Sequence, residues 1–329
     1  MNTKNQLIEE RFSLAPLFHP EEGKAVIQPT GNSTGFWAGA PTVLFDEKDQ
    51  TFYLYYRVRQ PRGYGDDERG FEVRIAKSLD GEHFSDVWFL HKNELNSSSI
   101  ERSALVKVND DQYRLYISYV DPEDNRWRID VIEAKTPTSF EAKNRKKVIT
   151  AGDKKGVEGV KDPYVIKAGN QYYMYFVYAQ GVNGVSIEKM HETGDVHNTG
   201  LAVAPTGLAV SEDGLHFEWI DEVLPVGSKG WDQYQSRLTT IIPYQGAYTV
   251  LWDGSVGVEQ NYEEKGARAI TFDLKTFSKV DHKGPALETS SKKAVRYTDA
   301  IIHNGQIWYY YEYTREDGAH ELRLCKVDI

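Results

Sequence analysis

Five times along the chain a short first strand, a tight turn and a longer second strand recur in the same order. The plainest copy runs from Tyr164 to Lys167, through a Gly-Asn turn, into Tyr172 to Tyr178. Apolar runs this short, rich in β-branched and aromatic residues and bounded by turn residues, read as paired antiparallel strands. Asp162-Pro163 opens the first run, a place where proline is tolerated because it need not donate to the ladder. The other copies span residues 40–56, 103–119, 238–252 and 298–311, with turns at 47–50, 109–111, 244–246 and 304–305. Their spacing is roughly 60 residues, rising above about 70 at the third copy, and such a period indicates a solenoid or a propeller.

A second motif follows the hairpins. Residues 74–84, containing Ser78-Leu-Asp-Gly-Glu-His-Phe84, are echoed by residues 207–217, containing Ser211-Glu-Asp-Gly-Leu-His-Phe217, and weaker versions end at Phe140 and Phe277. The Asp-Gly pair supplies the positive φ angles of a tight hairpin turn, so each unit gains a third and a fourth strand. Four antiparallel strands repeated five times predict an all-β, five-bladed β-propeller. Residues 1–35 lack periodicity, include Pro16, Pro20 and Pro29, and read as an N-terminal arm; residues 36–329 read as a single propeller domain. The sequence ends inside the third strand of the last unit, so residues 24–28 of the arm are expected to supply the outer strand and close that blade.

In a propeller the first strand of each blade lines the central channel, and loops on a rigid scaffold carry function. One face collects the starts of the first strands and the ends of the second strands. That face holds Glu101, Arg102, Lys161, Asp162, Arg237, Arg296, Tyr297 and Asp299 from first strands, with Trp37 and Tyr234 just ahead of them. Second-strand ends add Arg57, Arg59, Trp252, Asp253 and Glu312, whereas the opposite face carries plain turn residues such as Asp110, Asn170 and Asn304.

This mixture of carboxylates, cations and aromatics suits glycoside hydrolysis. The reaction needs two carboxyl groups about 5–5.5 Å apart for retention and about 6.5–9.5 Å apart for inversion, one protonated and one ionised. Glu101, Asp162 and Asp299 are the catalytic candidates, with Glu101 expected as general acid and Asp162 as its charged partner or base. Arg57, Arg102, Lys161 and Arg237 suit gripping hydroxyls or holding a carboxylate ionised. Trp37, Tyr234 and Trp252 suit stacking on sugar rings, with Asp253 and Tyr297 beside them in the substrate-binding set. The long stretch 180–205 is expected to be a lid. Its His191 and His197 lack tight ligand spacing, so they are expected to be solvated and no metal site is expected.

The net charge of -10 argues against a nucleic-acid partner, because phosphate neutralisation needs a basic face. Cys325 is the single cysteine, so no intramolecular disulfide forms. Residues 1–10 are polar with no apolar core of a signal peptide, and no apolar run is long enough to span a bilayer. The expectation is a cytoplasmic protein with no membrane partner, its oligomeric state left open.

Ala40-Pro41 followed by Tyr53-Leu-Tyr-Tyr-Arg57, Val160-Lys-Asp-Pro-Tyr-Val165 and Ser-x-Asp-Gly-x-x-Phe together resemble the five-bladed propeller glycosidases of glycoside hydrolase families 32, 43, 68 and 130, over roughly residues 36–329. The resemblance implies exo-acting hydrolysis, or phosphorolysis, of oligosaccharides or glycans. The fructan-processing families and family 43 place a catalytic Asp at the start of the first blade, where this chain has Gly39-Ala40. The mannoside phosphorylases carry a Glu-Asp-Pro-Arg type motif in the second blade, where Glu101-Arg102-Ser103 puts Arg102 in place of their Asp. Asp162 matches the shared Asp-Pro element. Three readings follow: a hydrolase of an oligosaccharide or glycoside, a phosphorylase in which Arg57, Arg102, Lys161 and Arg237 clamp phosphate, and a non-catalytic sugar-binding propeller. Some relatives hold a calcium ion at the propeller axis; the sequence offers no ligand cluster for one, and no cofactor is expected.

Overall fold

The computed structural model describes residues 13–281 and 283–329. Its first strand, β1 (Lys24–Ile27), stands ahead of the repeating units. The first blade is β2 (Trp37–Asp46), β3 (Thr51–Gln60), β4 (Arg69–Ser78) and β5 (Ser85–His91). The second is β6 (Ala104–Asn109), β7 (Gln112–Val120), β8 (Trp127–Ala134) and β9 (Lys146–Ile149). The third is β10 (Val157–Ala168), β11 (Gln171–Gln180), β12 (Thr206–Ser211) and β13 (Glu218–Leu224). The fourth is β14 (Gln235–Tyr244), β15 (Ala247–Ser255), β16 (Lys265–Thr271) and β17 (Ser278–Lys279). In the fifth, β18 (Val295–His303), β19 (Gln306–Thr314) and β20 (His320–Asp328) follow one another, and β1 pairs antiparallel with β20, Lys24 opposite Leu324. The fold is the five-bladed propeller of four-stranded antiparallel sheets that the repeat predicted.

The apolar core lies in five wedges between neighbouring sheets. Tyr55 and Ile75 meet Leu115 and Ile117 between blades one and two, and Tyr116 and Ile129 meet Met174 and Phe176 between two and three. Tyr175 and Leu208 meet Leu238 and Trp252 between three and four, Ile242 and Leu251 meet Ile307 and Tyr309 between four and five, and Trp308 and Tyr310 meet Phe52 and Leu54 where the ring closes. Strands buried on both faces therefore read as continuous apolar runs, since each blade is covered by two neighbours.

The Ser-x-Asp-Gly motif has a second task. Asp80 Oδ1 accepts the amides of Glu82 and His83, each at 2.9 Å, and Gly81 adopts φ 70°. The carbonyl of Gly81 then accepts the Tyr310 hydroxyl of the preceding blade at 2.9 Å. The same bond joins Tyr116 to Gly214 at 2.8 Å and Tyr175 to Leu274 at 2.7 Å. Each of these outer turns is thus clipped to the second strand of the blade before it.

Arm and ring are joined by more than β1. Tyr309 and Tyr311 donate their hydroxyls to the carbonyls of Pro16 and Pro20 at 2.6 and 2.7 Å, and Phe18 packs on both rings at 4.7 and 4.5 Å. Among the described residues no helix is long and apolar enough to cross a membrane.

Candidate active site

Every inner strand carries one residue more than its partner at the same height. Gly39 to Thr42 on β2 faces Arg57 to Tyr55, Lys161 to Tyr164 on β10 faces Val177 to Tyr175, and Arg296 to Asp299 on β18 faces Glu312 to Tyr310. On β14 the slip falls between Leu238 and Thr240, and in blade two between the Ile100–Tyr119 bridge and the Ala104–Tyr116 pair. Such bulges bend a strand and re-aim side chains, and they recur beside active sites. Here they form a ring about the axis.

Three of the five place a residue other than glycine at positive φ: Ala40 at 55°, Asp162 at 58° and Tyr297 at 51°. Each such conformation costs of order 1–3 kcal/mol and persists only where surrounding contacts fix it. Tyr297 is fixed on three sides. Its amide donates to Asp253 Oδ2 at 2.8 Å, its hydroxyl donates to Asp162 Oδ2 at 3.1 Å, and its ring lies 3.6 Å from the Arg237 guanidinium.

Around this ring the charged side chains interlock. Glu101, 3% exposed, pairs with Arg57 Nη1 and lies 3.8 Å from Arg59 Nη1. Glu101, expected as the general acid, thus stands in a buried cluster with two guanidiniums. Asp162 has Arg237 Nη1 at 3.4 Å on Oδ2 and no partner on Oδ1, although the residue is 1% exposed. Arg237 also holds Asp253 through Nη2 at 2.8 Å and Nε at 3.2 Å. Burial pushes the Asp253 carboxyl up to about 6, with Arg237 and the Tyr297 amide limiting the rise.

A second knot lies beside the first. Arg296 reaches Glu264 at 2.6 Å and Glu312 at 2.6 and 2.9 Å, and His320 Nδ1 meets Glu312 Oε1 at 2.6 Å. Burial raises both acids, but the arginines outweigh it, holding Glu264 at about 2 and Glu312 lower still. Gly39 makes room for this knot. A side chain there would overlap the Glu312 carboxylate, which instead accepts the Ala40 amide at 3.0 Å. The first-blade position of Gly39 thus lies against an acid supplied by the fifth blade.

The remaining expected residues take other places. Asp299 accepts the amides of Val43 and Ala300 at 2.8 and 3.0 Å, tying blade five to blade one, and burial raises its pKa. Arg102, fully buried, crosses to the Thr239 carbonyl of blade four at 2.7 Å, leaving Nε and Nη1 without partners. Lys161 lies with its ammonium 5.1 Å from the Trp127 ring centre. Trp252 offers no free face for a sugar: it is fully buried, with Trp231 stacked at 4.9 Å and Lys279 4.2 Å from its centre. Trp37 is also enclosed, stacked on His320 at 4.5 Å with Arg59 4.5 Å from its ring centre. Tyr234 does not stack either; its hydroxyl donates to the His197 carbonyl at 2.7 Å.

The histidines of the 180–205 stretch are not solvated as expected. His197 is 1% exposed, and His191 Nε2 lies 3.3 Å from Glu158. Among the described residues no group of three or more His, Cys, Asp or Glu side chains is placed to hold a metal ion. Glu264 and His320 escaped the sequence argument because they sit at the starts of third strands, where only first and second strands were read. Third strands begin on the same face as second strands end, so that position was the available signal.

No protein-family model matches the sequence, and no curated protein matches it. Solved structures match the fold. A thermostable family-43 glycoside hydrolase superposes with a TM-score of 0.63 at 14% identity, covering 91% of this chain and 92% of the other. A glycosyl hydrolase from Bacteroides ovatus gives 0.65 at 14% identity over 96% of each chain. The β-1,2-mannobiose phosphorylase from Listeria innocua, in complex with β-1,2-mannobiose, gives 0.62 at 15% identity over 97% and 96%. This chain therefore shares its fold, end to end across the described blades, with propeller glycoside hydrolases and a propeller phosphorylase.

Proposed function

We propose that the chain is a carbohydrate-active enzyme that hydrolyses glycosidic bonds of an oligosaccharide or glycoside at the bulge ring. The observation that carries this reading is the placement of Asp162 and Glu101 on one residue of β7. The Glu101 amide donates to the Ser118 carbonyl at 2.9 Å, the Asp162 amide donates to its hydroxyl at 3.4 Å, and Asp162 keeps one carboxylate oxygen bare. Their environments divide the labour that glycoside hydrolysis asks of two carboxyls. Glu101, paired with Arg57 and near Arg59, is the second carboxyl, which faces the positive charge developing on the sugar ring and activates the attacking water. Asp162, whose Oδ1 has no hydrogen-bond partner, is the carboxyl that exchanges a proton at the leaving oxygen. This assignment reverses the roles expected from sequence.

Phosphorolysis is the second reading, favoured by Nε and Nη2 of Arg57 and Nε and Nη1 of Arg102, all buried without hydrogen-bond partners and of the kind that grips phosphate. A panel of aryl glycosides and oligosaccharides, incubated with the purified chain with and without inorganic phosphate, separates the two. Free sugar released regardless of phosphate supports hydrolysis, and sugar phosphate formed only with phosphate supports the second reading. Sugar binding with no turnover under either condition contradicts both and leaves a binding module.

A further inference from the structure

The stretch 181–205 is tied to three blades. Asp195 Oδ1 accepts the Trp127 indole of blade two at 3.0 Å, the Gly194 carbonyl accepts Arg69 Nη2 of blade one at 3.1 Å, and the His197 carbonyl accepts the Tyr234 hydroxyl ahead of blade four at 2.7 Å. It therefore spans the mouth above the bulge ring and carries His197 inward. Neither ring nitrogen of His197 has a partner, although the residue is 1% exposed. Burial, reinforced by the Lys161 ammonium, pulls its pKa down to about 3, so the imidazole is neutral near pH 7 and offers one donor and one acceptor. Lys161 is 7% exposed, and among the described residues its ammonium makes no hydrogen bond or ion pair; it lies 5.1 Å from the Trp127 ring centre and acts electrostatically on buried Asp195. Asp162 Oδ1 completes the set of unsatisfied atoms.

Buried polar groups are almost always paired, so three neighbouring side chains with unused hydrogen-bonding atoms mark a place that something polar fills. The unused set mixes donors, on Lys161 and one nitrogen of His197, with acceptors, on Asp162 and the other nitrogen. An anion presents acceptors alone and offers the bare Asp162 oxygen no donor. A hydroxyl both donates and accepts, and adjacent ring hydroxyls satisfy such a set together. We infer that His197, Lys161 and Asp162 form a subsite for neighbouring hydroxyls of a neutral sugar ring, capped by the 181–205 stretch. This rests on the enzymatic reading above and adds to it a substrate class, an uncharged sugar, and a lid residue that selects it.

Calorimetric titration of the 329-residue chain with D-mannose, D-xylose, L-arabinose and D-fructose, and separately with D-glucuronate and inorganic phosphate, tests the inference. The expected result is binding of a neutral sugar that weakens about tenfold in His197→Leu and in Lys161→Met, the loss of roughly one buried hydrogen bond. A deoxy analogue of that sugar lacking the contacted hydroxyl should bind the unmodified chain and the variant equally, which a purely structural role for His197 does not produce. Lys161→Met, whose folding is checked by its melting temperature, carries the test if His197→Leu does not fold. Neutral-sugar binding undiminished in both variants, or tighter binding of glucuronate or phosphate, overturns the subsite while leaving glycosidic cleavage standing. Failure of the unmodified chain to bind or turn over any sugar contradicts the enzymatic reading and the subsite together.

Discussion

At the scale of single residues the site is an arrangement of buried charges whose partners decide their protonation. His197 makes the clearest case. Its pKa falls from the ordinary value near 6.5 to about 3 because burial and Lys161 disfavour the imidazolium. A depressed histidine contributes stability that is fully present above its unfolded pKa and drains away as pH falls towards the folded one, by about 1.4 kcal/mol per pH unit in between. Asp253 acts in the opposite sense: its value of about 6 stands above the ordinary 3.8, so the penalty of its charge is present above pH 6 and is relieved as pH falls to 3.8. Chemical denaturation of the unmodified chain and of His197→Gln between pH 7 and 4.5 separates the two. The variant is expected to lose stability less steeply with falling pH, by roughly 1 kcal/mol per unit, and identical slopes would show that His197 is not buried and neutral. None of this was legible in the sequence, where a histidine in a polar stretch with nearby acids reads as solvated. Its burial is set by Trp127, Arg69 and Tyr234, which lie far away along the chain.

At the scale of elements the bulges organise the site. A hairpin pattern with period two shows where a strand is, but not that it holds one residue more than its partner, because the extra residue changes only the ladder. Prolines mark two of the five bulges, Pro41 and Pro163, and Asp162-Pro163 was for that reason the most visible part of the site. Arg102-Ser103, Thr239 and Tyr297-Thr298 carry no such mark. The positions of Glu101, Asp162 and Arg237 followed from strand order alone, whereas the ion pairs between them depend on how each bulge turns its side chain. Gly39 tests the element directly, since its missing side chain accommodates Glu312. Gly39→Ala is expected to displace that carboxylate from the Ala40 amide and from Arg296, lowering stability by about 2–4 kcal/mol. A denaturation midpoint within error of the unmodified chain would mean that the Glu312 knot does not depend on the first-blade glycine.

At the scale of the whole molecule the ring is held by five apolar wedges and closed where Trp37 meets His320 and where β1 lies on β20. The repeat was readable because each unit reuses one hairpin and one Asp-Gly turn, and the turn is kept in several units because a tyrosine of the preceding blade clips it. Truncation to residue 29 removes β1, Phe18 and the carbonyls of Pro16 and Pro20 that hold Tyr309 and Tyr311. It is expected to lower the melting temperature by more than about 10 °C, with loss of a single cooperative transition. An unchanged melt would show that three strands suffice to close the fifth blade.

The most direct test of the whole account is the steady-state turnover of the best glycoside by Asp162→Asn beside its affinity for the sugar product. The account predicts that kcat falls by at least about 100-fold, as loss of a proton-transferring carboxyl requires, while product affinity weakens by no more than about tenfold, the loss of one subsite hydrogen bond. Turnover retained by this variant would contradict the placement of the chemistry at the ring of bulges.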